Sequence, residues 1–178
     1  MLFRSLAGEQ NIRASGCKHL IFRTSWVYSP RGQNFVKTVL RLAEQRPELR
    51  VVADQIGTPT SARFIADATS GILSGLLSSA VQPTHEFNDV YHLTAANYTS
   101  WHGFARKILD EYNRMFPRSK YPPTLFAIPT DEYPLPAPRP RNSRLNCSRL
   151  FTDFRMYQPA WTTSLQLCLD ELEGCNFD

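Results

Sequence analysis

Arginine is the side chain best built to fork onto a phosphate, and Arg139, Arg141, Arg144 and Arg149 fall within one short stretch of this 178-residue chain. Pro136, Pro138 and Pro140 stiffen the backbone there, and Asn142 follows directly. Fixed donors of this kind suit a pyrophosphate; a solvated basic loop is the plainer alternative. A second group, Thr24-Ser25-Trp26, ends an apolar run that reads as a strand. Ligands of open α/β sheets bind beyond the carboxyl ends of the strands, so Trp26 is either a ligand-facing ring or a core residue. Asn34 precedes a helical pattern and can cap it or reach a ligand. Gln55 and Thr60 flank Gly57 in the run Asp54-Gln55-Ile56-Gly57-Thr58-Pro59-Thr60. Gly57 is expected to supply a backbone turn there, stiffened by Thr58-Pro59.

Other chemistries find little support. His19, His85, His92 and His102 lack metal-ligand spacing, so no metal is expected. Cys17, Cys147, Cys168 and Cys175 show neither Cys-x-x-Cys spacing nor paired histidines, and no signal peptide precedes them. Reduced thiols in a cytoplasmic compartment are the expectation. Asp54, Asp67 and Asp110 form no pair suited to acid and base work. Twenty Lys and Arg against 16 Asp and Glu give +4, too slight an excess to argue for nucleic acid. No apolar run reaches the roughly 18 to 20 residues of a membrane span.

These residues need elements to hold them. The run from Leu6 to Ala14 is a good helix former, and Ser15-Gly16 can end it in a left-handed turn. The run from His19 to Tyr28 reads as one buried strand, stopped at Ser29-Pro30. A helix over 34–45 turns Phe35, Val39 and Leu42 inward, and Leu49 to Val52 is a short strand. Residues 61–77 form a helix with Phe64, Ile65, Ala68, Ile72 and Leu76 inward. After a loop over 83–88, Val90 to Thr94 is a strand, and a helix capped by Thr99 or Ser100 runs from Trp101 to about Met115, burying Phe104, Ile108 and Leu109. Leu125 to Ile128 is an edge strand among dense prolines. Helices over 148–157 and 163–173 close the chain. The alternation gives an α/β fold with parallel sheet.

The sets Arg23-Thr24-Ser25-Trp26-Val27-Tyr28, Asn34-Phe35-Val36-Lys37-Thr38 and 54–60 resemble the dTDP-4-dehydrorhamnose reductases, which are extended short-chain dehydrogenases. So do Tyr91-His92-Leu93, Trp101, Ile128-Pro129-Thr130, Tyr133-Pro134 and the run from Arg139 to Asn146. The resemblance covers nearly the whole chain, in order. It implies a partial Rossmann-like sheet, made of late strands and helices, plus the small α/β substrate-binding part of an extended short-chain dehydrogenase. It also implies NADPH as cofactor and a nucleotide-sugar substrate, with Trp26 against the deoxysugar or base. Asn34, Gln55, Arg139, Arg141 and Asn142 join it on the substrate side, and Thr24 and Ser25 lie near the nicotinamide.

The family's Tyr-x-x-x-Lys pair stands directly before a Leu-x-Gly-Glu helix. Leu6-Ala7-Gly8-Glu9 matches that helix, which sets Met1 in the tyrosine's place and Ser5 in the lysine's. Methionine has no proton to give and serine carries no charge, so no catalytic residue is expected in this chain. The expectation is the C-terminal portion of one reductase domain over 1–178, without the dinucleotide-binding half and inactive alone. A sheet edge beside residues 20–27 should then be open, to be covered by a homodimer contact or another partner. The alternatives are a non-catalytic subunit like the regulatory partner of methionine adenosyltransferase, and a degenerate fragment.

Overall fold

The computed structural model describes residues 2–78, 88–115, 123–134, 137 and 139–174. Met1, His85, Pro136, Pro138, Cys175 and most of the expected loop over 83–88 lie outside them. Helix α1 (Leu2–Ala14) leads through Gly16, at φ 70°, into β1 (His19–Arg23). The apolar run expected as one strand then breaks: β1 stops at Arg23, Trp26 takes φ 49°, and β2 is only Val27–Tyr28. The break sends the two halves to different partners. β1 pairs in parallel with β6 (Asn88–His92), Ile21 opposite Val90, whereas β2 pairs in parallel with β5 (Thr60–Ser61). The ladder outlasts β6 by one bond, from Leu93 N–H to the Arg23 carbonyl at 2.8 Å.

Helix α2 (Phe35–Gln45) is capped by Asn34, whose Oδ1 accepts from Lys37 N–H at 3.3 Å. Its fully buried face is Val36, Val39 and Leu40; the expected Phe35 and Leu42 are only partly covered. β3 (Glu48–Val52) pairs in parallel with β8 (Thr124–Ile128), Leu49 opposite Leu125. The stretch expected as an irregular loop holds β4 (Ile56–Gly57), which pairs antiparallel with β7 (Thr99–Ser100). Ser61 then caps α3 (Ala62–Leu77) by accepting from Phe64 N–H at 3.1 Å. Of the two expected caps for α4 (Trp101–Met115) it is Ser100 that serves, accepting from Gly103 N–H at 3.0 Å.

The chain ends in α5 (Ser148–Phe154), shorter than expected because Arg155 turns left-handed at φ 53°, and α6 (Trp161–Gly174). Two apolar clusters hold the molecule together. The larger joins α2, α4, α6 and β3 around Phe104 and Ile108, both fully enclosed. The smaller sets Ala68 and Ile72 of α3 against Tyr91, Leu93, Leu150 and Phe154. The parallel strand pairs and mixed layers are the expected α/β architecture.

Candidate functional site

The chain leaving β3 runs into β4, and the chain leaving β1 is tied to the same stretch through Ser25 at Thr58 and Trp26 at Gly57. Asp54 follows β3 and accepts from Thr130 twice, from N–H at 2.9 Å and from Oγ1 at 2.6 Å. The Thr130 hydroxyl bond holds the Asp54 carboxyl below the usual carboxylate range, with a smaller contribution from the Arg141 charge. Gln55 is buried and donates from Nε2 to the same Thr130 Oγ1 at 3.2 Å, completing a relay from Gln55 through Thr130 to Asp54.

Gln55 and Arg139 line one cavity of about 310 Å³, together with Thr130, Asp131, Tyr133, Pro134 and Ala137. The fold thus brings two of the expected substrate residues to one opening. Thr130 and Tyr133 are additions to that site. Both stand in the family-like motifs of the sequence, but neither has a spacing that says which face it presents.

The next turn of chain is stitched to β4. Ile56 N–H donates to the Arg141 carbonyl at 2.8 Å, and Ser143 N–H donates to the Ile56 carbonyl at 2.8 Å. Asn142 stands between them, its Oδ1 accepting from Arg144 N–H and Nε, both at 3.1 Å. Asn142 therefore spends its acceptor on shaping the loop, while the Arg141 side chain is exposed.

The four arginines do not act as one cluster. Arg144 lies over the Tyr98 ring at 4.5 Å, and Arg149 belongs to α5, where it meets Asp89 at 2.6 Å and covers Tyr91 at 4.7 Å. Arg149 is separated from the cavity because α5 carries it onto β6. A second opening of about 350 Å³ lies by Arg144, between Thr94, Asn97, Tyr98 and Gln158.

Trp26 is half-buried, its indole stacked on Trp101 with centroids 3.6 Å apart and planes 10° from parallel. Gly57 faces that ring. A Cβ built there would lie 2.4 Å from Trp26 Cε2, and the glycine shows no positive φ. The expected turn role is therefore replaced by a close-approach role: Gly57 is a strand residue without room for a side chain.

Thr24 is exposed at the end of β1, and Ser25 Oγ donates to the Thr58 carbonyl at 3.1 Å. Asn34 uses both ends of its amide, since Nδ2 also donates to the Ser29 carbonyl at 2.7 Å. Ser5 is exposed on α1. At the same end of β1, Arg23 forks onto Glu9 of α1 at 2.9 and 2.7 Å, which lowers the Glu9 pKa.

The family model described as the RmlD substrate binding domain matches residues 4–173. The chain belongs to this family. A Shigella flexneri protein named dTDP-4-dehydrorhamnose reductase is 42% identical over 170 residues, covering 94% of this chain and 54% of that protein. The chain thus spans about half the length of the curated relatives it matches. Two solved structures are similar. The dTDP-4-dehydrorhamnose reductase ortholog of Clostridium acetobutylicum has a TM-score of 0.77 at 31% identity, covering 94% of this chain and 54% of that one. The reductase of Bacillus anthracis, in complex with NADP, has a TM-score of 0.74 at 31% identity, covering 93% and 52%. No helix among the described residues is long and apolar enough to cross a membrane.

Proposed function

We propose that this chain is the substrate-binding portion of an NADPH-dependent dTDP-4-dehydrorhamnose reductase, which reduces the 4-keto group of dTDP-4-dehydro-L-rhamnose to give dTDP-L-rhamnose. The observation that carries the reading is the meeting of Gln55 and Arg139 at one cavity in a chain whose family is a substrate-binding domain. Arg139 and Arg141 supply fixed positive charge for the pyrophosphate, and the Gln55–Thr130–Asp54 relay holds the Gln55 amide still. Trp26 adds an aromatic edge, and Asn34 and Asn142 act by shaping the backbone around the ligand. The reductase name of the relative supports this reading over that of a regulatory subunit.

The cofactor fits only at one end. The exposed Thr24 hydroxyl is suited to the nicotinamide side, but the eight glycines include no Gly-x-Gly-x-x-Gly run to cradle a dinucleotide pyrophosphate. NADPH, when bound, supplies hydride. The cradle is assigned to a nucleotide-binding half that also covers the edge of β1 that carries no strand among the described residues, in the cytoplasm where the thiols stay reduced.

NADPH oxidation with the dTDP-keto sugar tests this in three proteins: the chain, its Met1→Tyr and Ser5→Lys double variant, and that double variant joined to a relative's nucleotide-binding half. Turnover is expected in the third alone. A general acid contributes roughly 10² to 10⁴-fold, and proximity of the reactants about 7 to 11 kcal/mol, so repairing the acid without the cradle restores little. Turnover by either of the first two would overturn the assignment.

A further inference from the structure

Trp26 is a bulky residue in the left-handed region, at φ 49°, where such a side chain is rarely found. Its pose is held by two neighbours. Trp101 stacks on the indole and is backed by Phe35, whose ring centroid lies 4.6 Å from that of Trp101; Phe35 and Phe104 stack at 5.4 Å. An aromatic column thus runs from the enclosed Phe104 out to Trp26. The second neighbour is Gly57, whose missing side chain leaves the space that Trp26 Cε2 and Ser143 Oγ approach; an added Cβ would lie 2.4 and 2.6 Å from them.

The same short strand governs both supports. β4 pairs with β7, and β7 runs straight into Trp101. β4 also carries the backbone bonds to Arg141 and Ser143. A shift of Gly57 therefore reaches Trp26 and the arginine loop together.

We propose that Trp101 and Gly57 are positioning residues that set the pose of Trp26 and tie it to the Arg141–Asn142 loop. Only the consequence for nucleotide affinity rests on the functional reading above. Stacked indoles give an exciton couplet in far-ultraviolet circular dichroism, which reports the pose without any ligand. The full chain should show it. Trp101→Phe should abolish it, and so should Gly57→Ala, although that variant keeps both indoles.

In a titration with dTDP, Gly57→Ala and Trp101→Leu should bind about ten-fold more weakly, while Trp101→Phe, which keeps a ring to stack on, should stay within about three-fold. If Gly57→Ala is too unstable to measure, melting of Gly57→Ala with Trp26→Ala decides, because removing the indole removes the collision. Recovery of the melting temperature supports the proposal, and equal instability overturns it.

An unchanged couplet in Gly57→Ala, or wild-type dTDP affinity in Trp101→Leu, would also overturn it. A couplet that behaves as expected in a chain with no affinity for dTDP would sink the nucleotide-sugar reading and still support the positioning.

Discussion

Gln55 depends on a single hydroxyl, since Thr130 Oγ1 accepts a hydrogen bond from its amide and donates one to Asp54. Thr130→Val keeps the shape and removes both bonds, leaving a buried amide without its acceptor. The expected cost is roughly 1 to 3 kcal/mol, measured by denaturant unfolding, with weakened dTDP binding in the same variant. An unchanged midpoint would show that the relay carries no weight. The thiols offer a second residue-scale test. Burial pushes the Cys168 thiol up to about 12, whereas Cys17 is exposed. Maleimide should label Cys17 in the native protein and reach Cys168 only on unfolding, as read residue by residue by peptide mapping; labelling of Cys168 in the native protein would show that it is not enclosed.

At the scale of elements, α2 shows how a residue with two readings can be resolved. Asn34→Ala removes the cap and should cost about 1 kcal/mol, or roughly 2 to 4 °C in Tm for a chain of this size. Because both ends of the amide are used within the chain, dTDP affinity should fall far less than in an Arg139→Ala variant; an equal loss would make Asn34 a direct contact. In α4, hydrogen bonds from Lys107 and Arg114 lower the Glu111 pKa, as Arg23 does for Glu9 and Thr130 for Asp54. A depressed carboxylate pKa means that the unfolded chain binds more protons at low pH. The stability from these groups is present above about pH 4.5 and lost as pH falls through their folded values. Glu111→Gln should flatten the acid limb of a melting profile, and an identical limb would exclude the helix ion pairs as its cause.

For the molecule as a whole, the sheet edges are unfinished: among the described residues every strand has a single strand neighbour, and β1 shows the consequence. Among the described residues it has one neighbour, β6, and its other edge carries no strand. Leu6 and Ile12 of α1 are also exposed, at 49% and 41%. An open edge next to apolar side chains invites pairing. The chain alone should bind an apolar-surface dye and self-associate, and coexpression with a nucleotide-binding half should suppress both; a monodisperse monomer that binds no dye would argue against it.

The sequence by itself determined the helices, because 3.6-residue periodicity and capping side chains are local: Asn34 and Ser100 cap where their side chains suggest, and Ala68 and Ile72 face inward as their spacing requires. It also determined that a parallel sheet forms, since the apolar stretches at residues 20–22 and 90–91 are set among helices; that β1 and β6 are partners, and where each one stops, was read from the structure. Tertiary structure alone decided the site. The apolar run continues through Thr24 to Trp26, so nothing local marks the break; it needs Trp101 from α4 and the bare Cα of Gly57. The arginine cluster divided for the same reason. Neighbours in sequence, Arg139 reached the cavity with Gln55 while Arg149 was carried off by α5 to Asp89, because β4 anchors one part of the segment and β6 the other.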